Sequence, residues 1–348
     1  MKKHANIPVF IPHLGCPNQC VFCNQRSISG VEQFSANRLV EEIEAALSTV
    51  AEGVMVEIAF FGGSFTGIDR ELMISLLKTA HGYIERGRVS AIRCSTRPDY
   101  IDEEIISILK EYGVRTVELG LQSVSDRVLA ECKRGHTHAD ELRACRMIVE
   151  SGLDLVGQMM IGLPGSTPES EVETAEFIAN VGAVGARIYP TVVFRETELS
   201  DMTDCGEYSP LSLPDAIKRT AAAYRVFMKA GIDVIRIGLC SSENLSAIDS
   251  YRAGPNHPAI GELVENEIYY SLICEKLPSR ESLLGKRLKI EVARGESSKA
   301  IGQKRANIAR LCKKFGLCCV KVTESSALTP HEITVYITER ENNVLKDT

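Results

Sequence analysis

The feature that most constrains this chain is a regular exchange between two hydrophobic periods along its first 240 or so residues. Short continuous apolar runs recur at 8–12, 56–61, 91–96, 116–121, 153–161, 186–191 and 234–239, the length and character of buried strands. Between them, 35–49, 69–85, 102–112, 139–151, 167–180 and 213–229 place apolar residues at helical spacing. Ser35 and Asp69 stand where helix N-caps belong, and Gly113, Gly152 and Gly231 where helices stop. Strands apolar along their whole length need cover on both faces, so strand–helix alternation means a parallel α/β sheet. Six or seven such units favour a partial barrel of the (β/α)6 type over an open doubly wound sheet. In such barrels the chemistry sits at the carboxyl ends of the strands.

The alternation fails after residue 240, which divides the chain into a barrel at 1–240, a Pro- and Gly-punctuated linker at 241–279, a small accessory domain at 280–340 and a tail at 341–348. In the accessory domain 288–292, 318–322 and 333–337 read as strands and 298–315 as one helix. A net charge of -6 conceals an asymmetry: 280–321 carries twelve Lys or Arg against three Glu, a surplus of +9. Clustered positive charge is the electrostatic footprint of a nucleic-acid partner. No apolar run approaches the roughly 20 residues of a membrane span, and the N-terminus lacks a secretory pattern, so a cytoplasmic protein with no membrane partner is expected. Twelve cysteines in that setting argue for reduced thiols and metal ligation rather than disulfides.

Three of those cysteines form a motif. GCPNQCVFC follows the first strand and carries Cys16, Cys20 and Cys23 at C-x3-C-x2-C spacing. Thiolates are soft ligands suited to iron–sulfur clusters, and a short loop can wrap three of them around one cubane. A zinc site completed by His13 is the competing assignment. The string, with Phe22 before the third cysteine, resembles the signature of radical S-adenosylmethionine (SAM) enzymes. That resemblance implies a TIM-like partial barrel, a 4Fe-4S cluster on Cys16, Cys20 and Cys23, and SAM bound to the iron that has no protein ligand. It also implies reductive cleavage of SAM to methionine and a 5'-deoxyadenosyl radical that takes a hydrogen atom from the substrate.

The companion segments lie at the ends of successive strands. FFGGSFTG places Gly62, Gly63 and Ser64 after the second strand, where missing side chains let backbone carbonyls approach an ammonium group; by the resemblance this segment binds SAM's amino group. STRPDYI carries Ser95 where the similar enzymes usually have a glutamate for the ribose. ELGLQSVSDRVLAECKRGHT, residues 118–137, is similar to the same segment in the Elongator catalytic subunit and in oxygen-independent coproporphyrinogen oxidases. It implies that Gln122 and Arg134 face SAM, the guanidinium pairing with its carboxylate. MMIGLPGST puts Gln158 on the fifth strand and Gly162, Pro164 and Gly165 beside the adenine. ARIYPTVVFRETEL supplies Arg187, Tyr189 and Arg195, read either as substrate contacts or as a barrel-rim salt bridge and packed aromatic.

The resemblance to the Elongator radical SAM domain runs from about 8 to 239, and includes GEYSPLSLPDA around Tyr208. That subunit has a longer gap between its first two cluster cysteines and an acetyltransferase domain. This sequence shows no Q/R-x-x-G-x-G/A segment, so acetyl transfer is not expected. GPNHPAIGELVENEIYY, 254–270, resembles the linker of a stand-alone radical SAM group with its own short C-terminal domain. Its His257 is a catalytic candidate or a structural turn histidine. SSKAIGQKRANIARLCKKFG resembles the core of a KH RNA-binding domain, with Gly302 at the first glycine of the G-x-x-G loop and Arg305 replacing the second. Lys304, Arg305 and Arg310 could then meet an RNA backbone; the alternative is an accessory domain that caps the barrel. Cys312, Cys318 and Cys319 read as buried thiols.

The expectation is therefore a radical SAM enzyme modifying an RNA base, with transfer RNA as the partner and a flavodoxin or ferredoxin as one-electron donor. Action on a small molecule such as a tetrapyrrole is the second reading, and a non-enzymatic metal- or RNA-binding protein the third.

Overall fold

A computed structural model of the chain describes residues 4–11, 14–16, 20–24, 34–239 and 250–339. The chain forms two compact units that divide between Pro258 and Ala259. In the first unit the strands are β1 (His4–Ile11), β2 (Met55–Gly62), β3 (Ala91–Thr96), β4 (Val114–Gln122), β5 (Asp154–Ile161), β6 (Gly185–Pro190), β7 (Val193–Phe194), β8 (Asp233–Ile237) and β9 (Tyr251–Ala253). Seven of them form one parallel sheet in the order β1-β2-β3-β4-β5-β6-β8, each beside its neighbour in sequence, which is a partial (β/α) barrel. β7 and β9 pair separately as a two-stranded antiparallel ribbon.

Helices cover one face of the sheet because their apolar residues fall on one stripe. Helix Arg70–Glu85 buries Met73, Leu76, Leu77, Ala80 and Tyr83, and these pack with Ile58, Phe60 and Ile92 of the strands. Asp69 starts that helix by accepting from the Leu72 N–H at 2.9 Å, and Asp102 does the same for helix Glu103–Glu111. Ser35 behaves differently: it precedes a 3-10 turn, Ala36–Arg38, and makes no side-chain cap, because helix Leu39–Thr49 begins only after that turn.

The opposite face of the sheet carries charge. Arg93 on β3 donates from Nε to Glu57 of β2 at 2.7 Å and from Nη1 to Glu118 of β4 at 2.9 Å. Arg187 on β6 reaches the same Glu118 from Nη2 at 2.8 Å. All four side chains are buried, so two guanidinium and two carboxylate groups neutralise one another across five strands.

The second unit begins with helix Ile260–Lys276, within the stretch expected as linker. Its Tyr269 and Ile273 join Leu288, Ile290, Val292, Leu311, Phe315, Val320 and Ile333 in one core, so this helix is an integral layer of the small domain. Three strands, β10 (Arg287–Ala293), β11 (Cys319–Ser325) and β12 (Ile333–Thr338), pair in the order β11-β10-β12, parallel on one side and antiparallel on the other. The single helix expected over 298–315 is two, Ser297–Ile301 and Ala306–Phe315. Gly302, Lys304 and Arg305 between them have φ of 77°, 51° and 63°, in the left-handed region that no α-helix can pass through. Cys318 and Cys319 are exposed and Cys312 is half-buried, contrary to the expectation of buried thiols, because the pair opens an edge strand. Among the described residues no helix is long and apolar enough to cross a membrane.

Glu118→Leu would leave Arg93 and Arg187 without a shared carboxylate and should destabilise the first unit by about 3–5 kcal/mol. A denaturant midpoint unchanged from wild type would show that water replaces the lost partner.

Candidate active site

The chain leaves β1 and reaches its cysteines in a loop at the carboxyl end of the sheet. That loop is seated on the segment after β2 through its backbone: Gly63 N–H donates to the Ile11 carbonyl at 2.9 Å and Ser64 N–H to the Leu14 carbonyl at 3.2 Å, and the Cys16 thiol also meets the Ser64 backbone. A Cβ on Gly63 would stand 2.1 Å from the Leu14 oxygen, and one on Gly15 2.2 Å from the Ser64 oxygen. The glycines of FFGGSFTG are thus required by the cysteine loop itself as well as suiting a ligand. Cys20 is buried, and Cys16 and Cys23 are half-buried. Phe22 packs on a small apolar cluster of Val21, Val128, Cys132, Leu163 and Leu199 that anchors the loop's far side. Val21 N–H donates to the Cys132 carbonyl at 3.2 Å and Leu199 N–H to the Val21 carbonyl at 2.8 Å. Burial, then the nearby Cys20, pushes the Cys16 thiol up. Among the described residues no three His, Cys, Asp or Glu side chains converge on a single-ion site. His13, the proposed fourth zinc ligand, lies outside the described residues.

Two buried arginines meet this loop. Arg134 donates from Nη1 to the Cys20 Sγ at 3.2 Å and from Nη2 to the Gly120 carbonyl at 2.7 Å. Gly120 makes room for it: a Cβ there would stand 3.0 Å from Gln122 Nε2 and 3.4 Å from Arg134 Nη2. The β4–β5 register shifts between Gly120 and Gln122, and Gln122 takes a φ of 74°, unusual for a side chain that is not glycine. Its Oε1 is buried without a hydrogen-bond partner among the described residues. Arg97, two residues after Ser95 in the S-T-R-P-D string, is a site residue that the sequence did not single out. It donates from Nε and Nη2 to the Asp99 carboxylate, at 2.9 Å each, and from Nη2 to the Arg134 carbonyl. Behind them His136, hydrogen-bonded to buried Glu141, is held down to about 4 by burial and by the Arg134 and Arg97 charges, so it is neutral near pH 7.

The other expected residues are spread along the sheet. Ser64 is fully buried, its hydroxyl 2.9 Å from that of Thr96 and accepting from the Arg97 N–H at 3.3 Å. Ser95 and Gln158 are half-buried on β3 and β5, and Gln158 stands in register between Gly120 and Arg187. Arg187 is tied to Glu118, with Tyr189 beside it. Gly162 and Gly165 lie in a loop organised by Glu171, another residue the sequence did not single out. Glu171 accepts from the Gly162 N–H at 2.6 Å and from Arg219, while Tyr208 donates to the Gly162 carbonyl at 2.6 Å. Arg195 is exposed after β7, and His257 lies in the turn after β9, apart in sequence from the sheet's carboxyl-end loops.

In the second unit, Gly302 is buried against Asn307, whose Nδ2 donates to the Asn266 carbonyl at 2.7 Å. Lys304 and Arg305 are exposed at the turn between the two helices. Arg310 is committed elsewhere: both terminal nitrogens donate to Glu267, at 2.6 and 3.2 Å, and its guanidinium lies 3.6 Å over the Tyr270 ring. The sequence offers it as a contact to an RNA backbone, and the partners that take it up, Glu267 and Tyr270, lie some forty residues away in sequence.

Thiols in a loop, a guanidinium on one of them, an unpartnered amide oxygen and a second buried guanidinium form a donor set that fits an anionic sulfide cluster with a polar ligand beside it. Gly63→Ala should retain far-UV circular dichroism but lose the iron that wild-type protein takes up on anaerobic incubation with iron and sulfide. Iron content equal to wild type would show that the loop tolerates an unseated backbone.

The Radical SAM superfamily model matches residues 10–178, and a Radical_SAM C-terminal domain model matches 183–270. The chain is 29% identical over 259 residues to a tRNA uridine(34) acetyltransferase of Methanocaldococcus jannaschii, covering 62% of this chain and 47% of that protein. It is 30% identical over 251 residues to Elongator complex protein 3 of Danio rerio, covering 63% and 45%. The chain thus spans about half the length of these curated relatives. The solved structure of archaeal Methanocaldococcus infernus Elp3, lacking an N-terminal stretch, superposes with a TM-score of 0.62 at 23% identity over 80% of this chain and 65% of that one, a likeness of fold. Both family models run through the strands and loops that build this site, and the chain belongs to the radical SAM superfamily, with that superfamily's 4Fe-4S cluster and SAM as its cofactors.

Proposed function

We propose that this protein cleaves SAM reductively and directs the resulting radical at a base in RNA, with transfer RNA as the substrate class. The observation that carries the first half is the Arg134 guanidinium, hydrogen-bonded to a motif cysteine and held beside an unsatisfied Gln122 amide. In this reading Cys16, Cys20 and Cys23 ligate three irons, and the backbone of Gly62, Gly63 and Ser64 meets the SAM amino group. Gln122, Gln158 and Ser95 offer polar contacts to the nucleoside, and Arg134 faces the carboxylate. When bound, the cluster and SAM supply one-electron cleavage to methionine and a 5'-deoxyadenosyl radical. The chain's own part is to bind, orient and exclude water. Arg187, fixed by Glu118, holds Tyr189 on the sheet face toward the substrate, and Arg195 and His257 are further candidates for contact. A flavodoxin or ferredoxin in the cytoplasm would provide the electron.

Two observations favour RNA. The relatives' names are those of transfer RNA-modifying and Elongator proteins. Independently, the second unit presents Lys304 and Arg305, both exposed, at a tight turn between helices, a placement suited to a phosphate backbone.

Anaerobic, iron-loaded protein with dithionite and SAM should form 5'-deoxyadenosine, faster when transfer RNA is added, and the triple Cys16→Ala, Cys20→Ala, Cys23→Ala variant should form none. Lys304→Glu with Arg305→Glu should weaken RNA binding and reduce its logarithmic salt slope by about 2, roughly one for each phosphate no longer neutralised. Turnover stimulated by a tetrapyrrole and not by RNA would favour the small-molecule reading, and RNA affinity insensitive to salt would reject the polynucleotide.

A further inference from the structure

Arg97 is buried at 3% exposure and its fork is closed on one side only. Asp99 takes Nε and Nη2, and the Arg134 carbonyl takes Nη2 again, so the guanidinium plane is fixed. Its backbone is fixed too, through the Ser64 hydroxyl that follows the glycine seat of the cysteine loop. Nη1 is left buried, without a hydrogen-bond partner among the described residues. A buried cationic donor with no acceptor is strongly unfavourable, and in a folded protein such a group calls for an explanation.

The surroundings narrow what the missing acceptor can be. Arg97 and Arg134 bring two positive charges to this point and Asp99 one negative charge, while His136 is neutral. Leaving the cysteine thiols aside, the site thus carries one cation in excess, and the Arg97 Nη1 among these donors has no acceptor of its own among the described residues. Arg97 is within electrostatic reach of Cys16 and Cys20, and its backbone touches the segment that would meet an amino group. A carboxylate on the same carbon as that amino group satisfies the charge, the fork geometry and the position together.

Resting on the cofactor reading above, we infer that Arg97 is a second SAM-binding arginine whose free Nη1 takes the α-carboxylate of the methionine end, so that Arg97 and Arg134 grip it jointly. Asp99 is then a positioning residue that turns the fork so that one nitrogen stays open.

The test compares two ligands on anaerobic, iron-loaded full-length protein by equilibrium calorimetry: SAM, and decarboxylated SAM, which keeps the nucleoside, sulfonium and amine. Wild type should prefer SAM. Arg97→Gln should weaken SAM by about 10- to 100-fold, the worth of one hydrogen bond to a charged group, while leaving the decarboxylated ligand nearly unchanged. Equal weakening of both ligands, or an unchanged preference, would overturn the inference. Should Arg97→Gln fail to take up iron, Arg97→Lys decides: a point charge without the fork should recover only part of the preference, and an undiminished preference overturns the assignment. If wild-type protein binds neither ligand, it is the broader cofactor reading that fails.

Discussion

The site depends on one contact between two stretches of main chain. The cysteine loop after β1 and the glycine segment after β2 lie so close that their carbonyl oxygens occupy the space a Cβ would need at Gly15 and Gly63. Two backbone hydrogen bonds hold them there, and the Cys16 thiol meets the Ser64 main chain beside them. Because β1 and β2 are parallel neighbours in register from His4 with Met55 to Ile11 with Gly62, both loops emerge at the same level. The sheet therefore delivers the thiols and their seat to a common edge, and every later element of the site is measured from it.

Charge is arranged in two layers on this scaffold. Along the sheet face, Glu57, Arg93, Glu118 and Arg187 close on one another and leave no surplus. Such a network is weak evidence for stability, since desolvation offsets much of the attraction, but it fixes side-chain orientation across neighbouring strands. At the carboxyl edge the balance is unequal. Arg97 and Arg134 outnumber Asp99, and burial together with those two cations keeps His136, hydrogen-bonded to Glu141 behind them, in its neutral form. An excess of buried cation beside three thiols suits a site that receives negative charge.

The second unit shows how a charge count misleads. The surplus read from 280–321 is partly cancelled by Glu265 and Glu267, which precede that window on helix Ile260–Lys276. Glu265 pairs with Lys299 at 3.5 Å and Glu267 with Arg310 at 2.6 Å. What remains exposed at the turn is Lys304 and Arg305, whose left-handed backbone splits an apparently continuous helix. The periodicity of 298–315 could not reveal the break, because residues on either side of a sharp turn can keep apolar spacing while the chain changes direction.

By itself the sequence determined the alternation of strand and helix, hence the parallel sheet, and the three cysteines with the glycines and Arg134 that accompany them. These are local in kind: hydrophobic period and ligand spacing are set by near neighbours. Only the tertiary structure decided that Arg97 meets Arg134 and Ser64 beside the cysteine loop, that Glu171 organises the Gly162 loop, that Gly120 and a bulge at Gln122 make room for Arg134, and that Arg310 is spent on Glu267. Those depend on which parallel strands lie side by side and on how far each loop reaches, and a contact between residues forty to a hundred positions apart leaves no periodic mark in the chain.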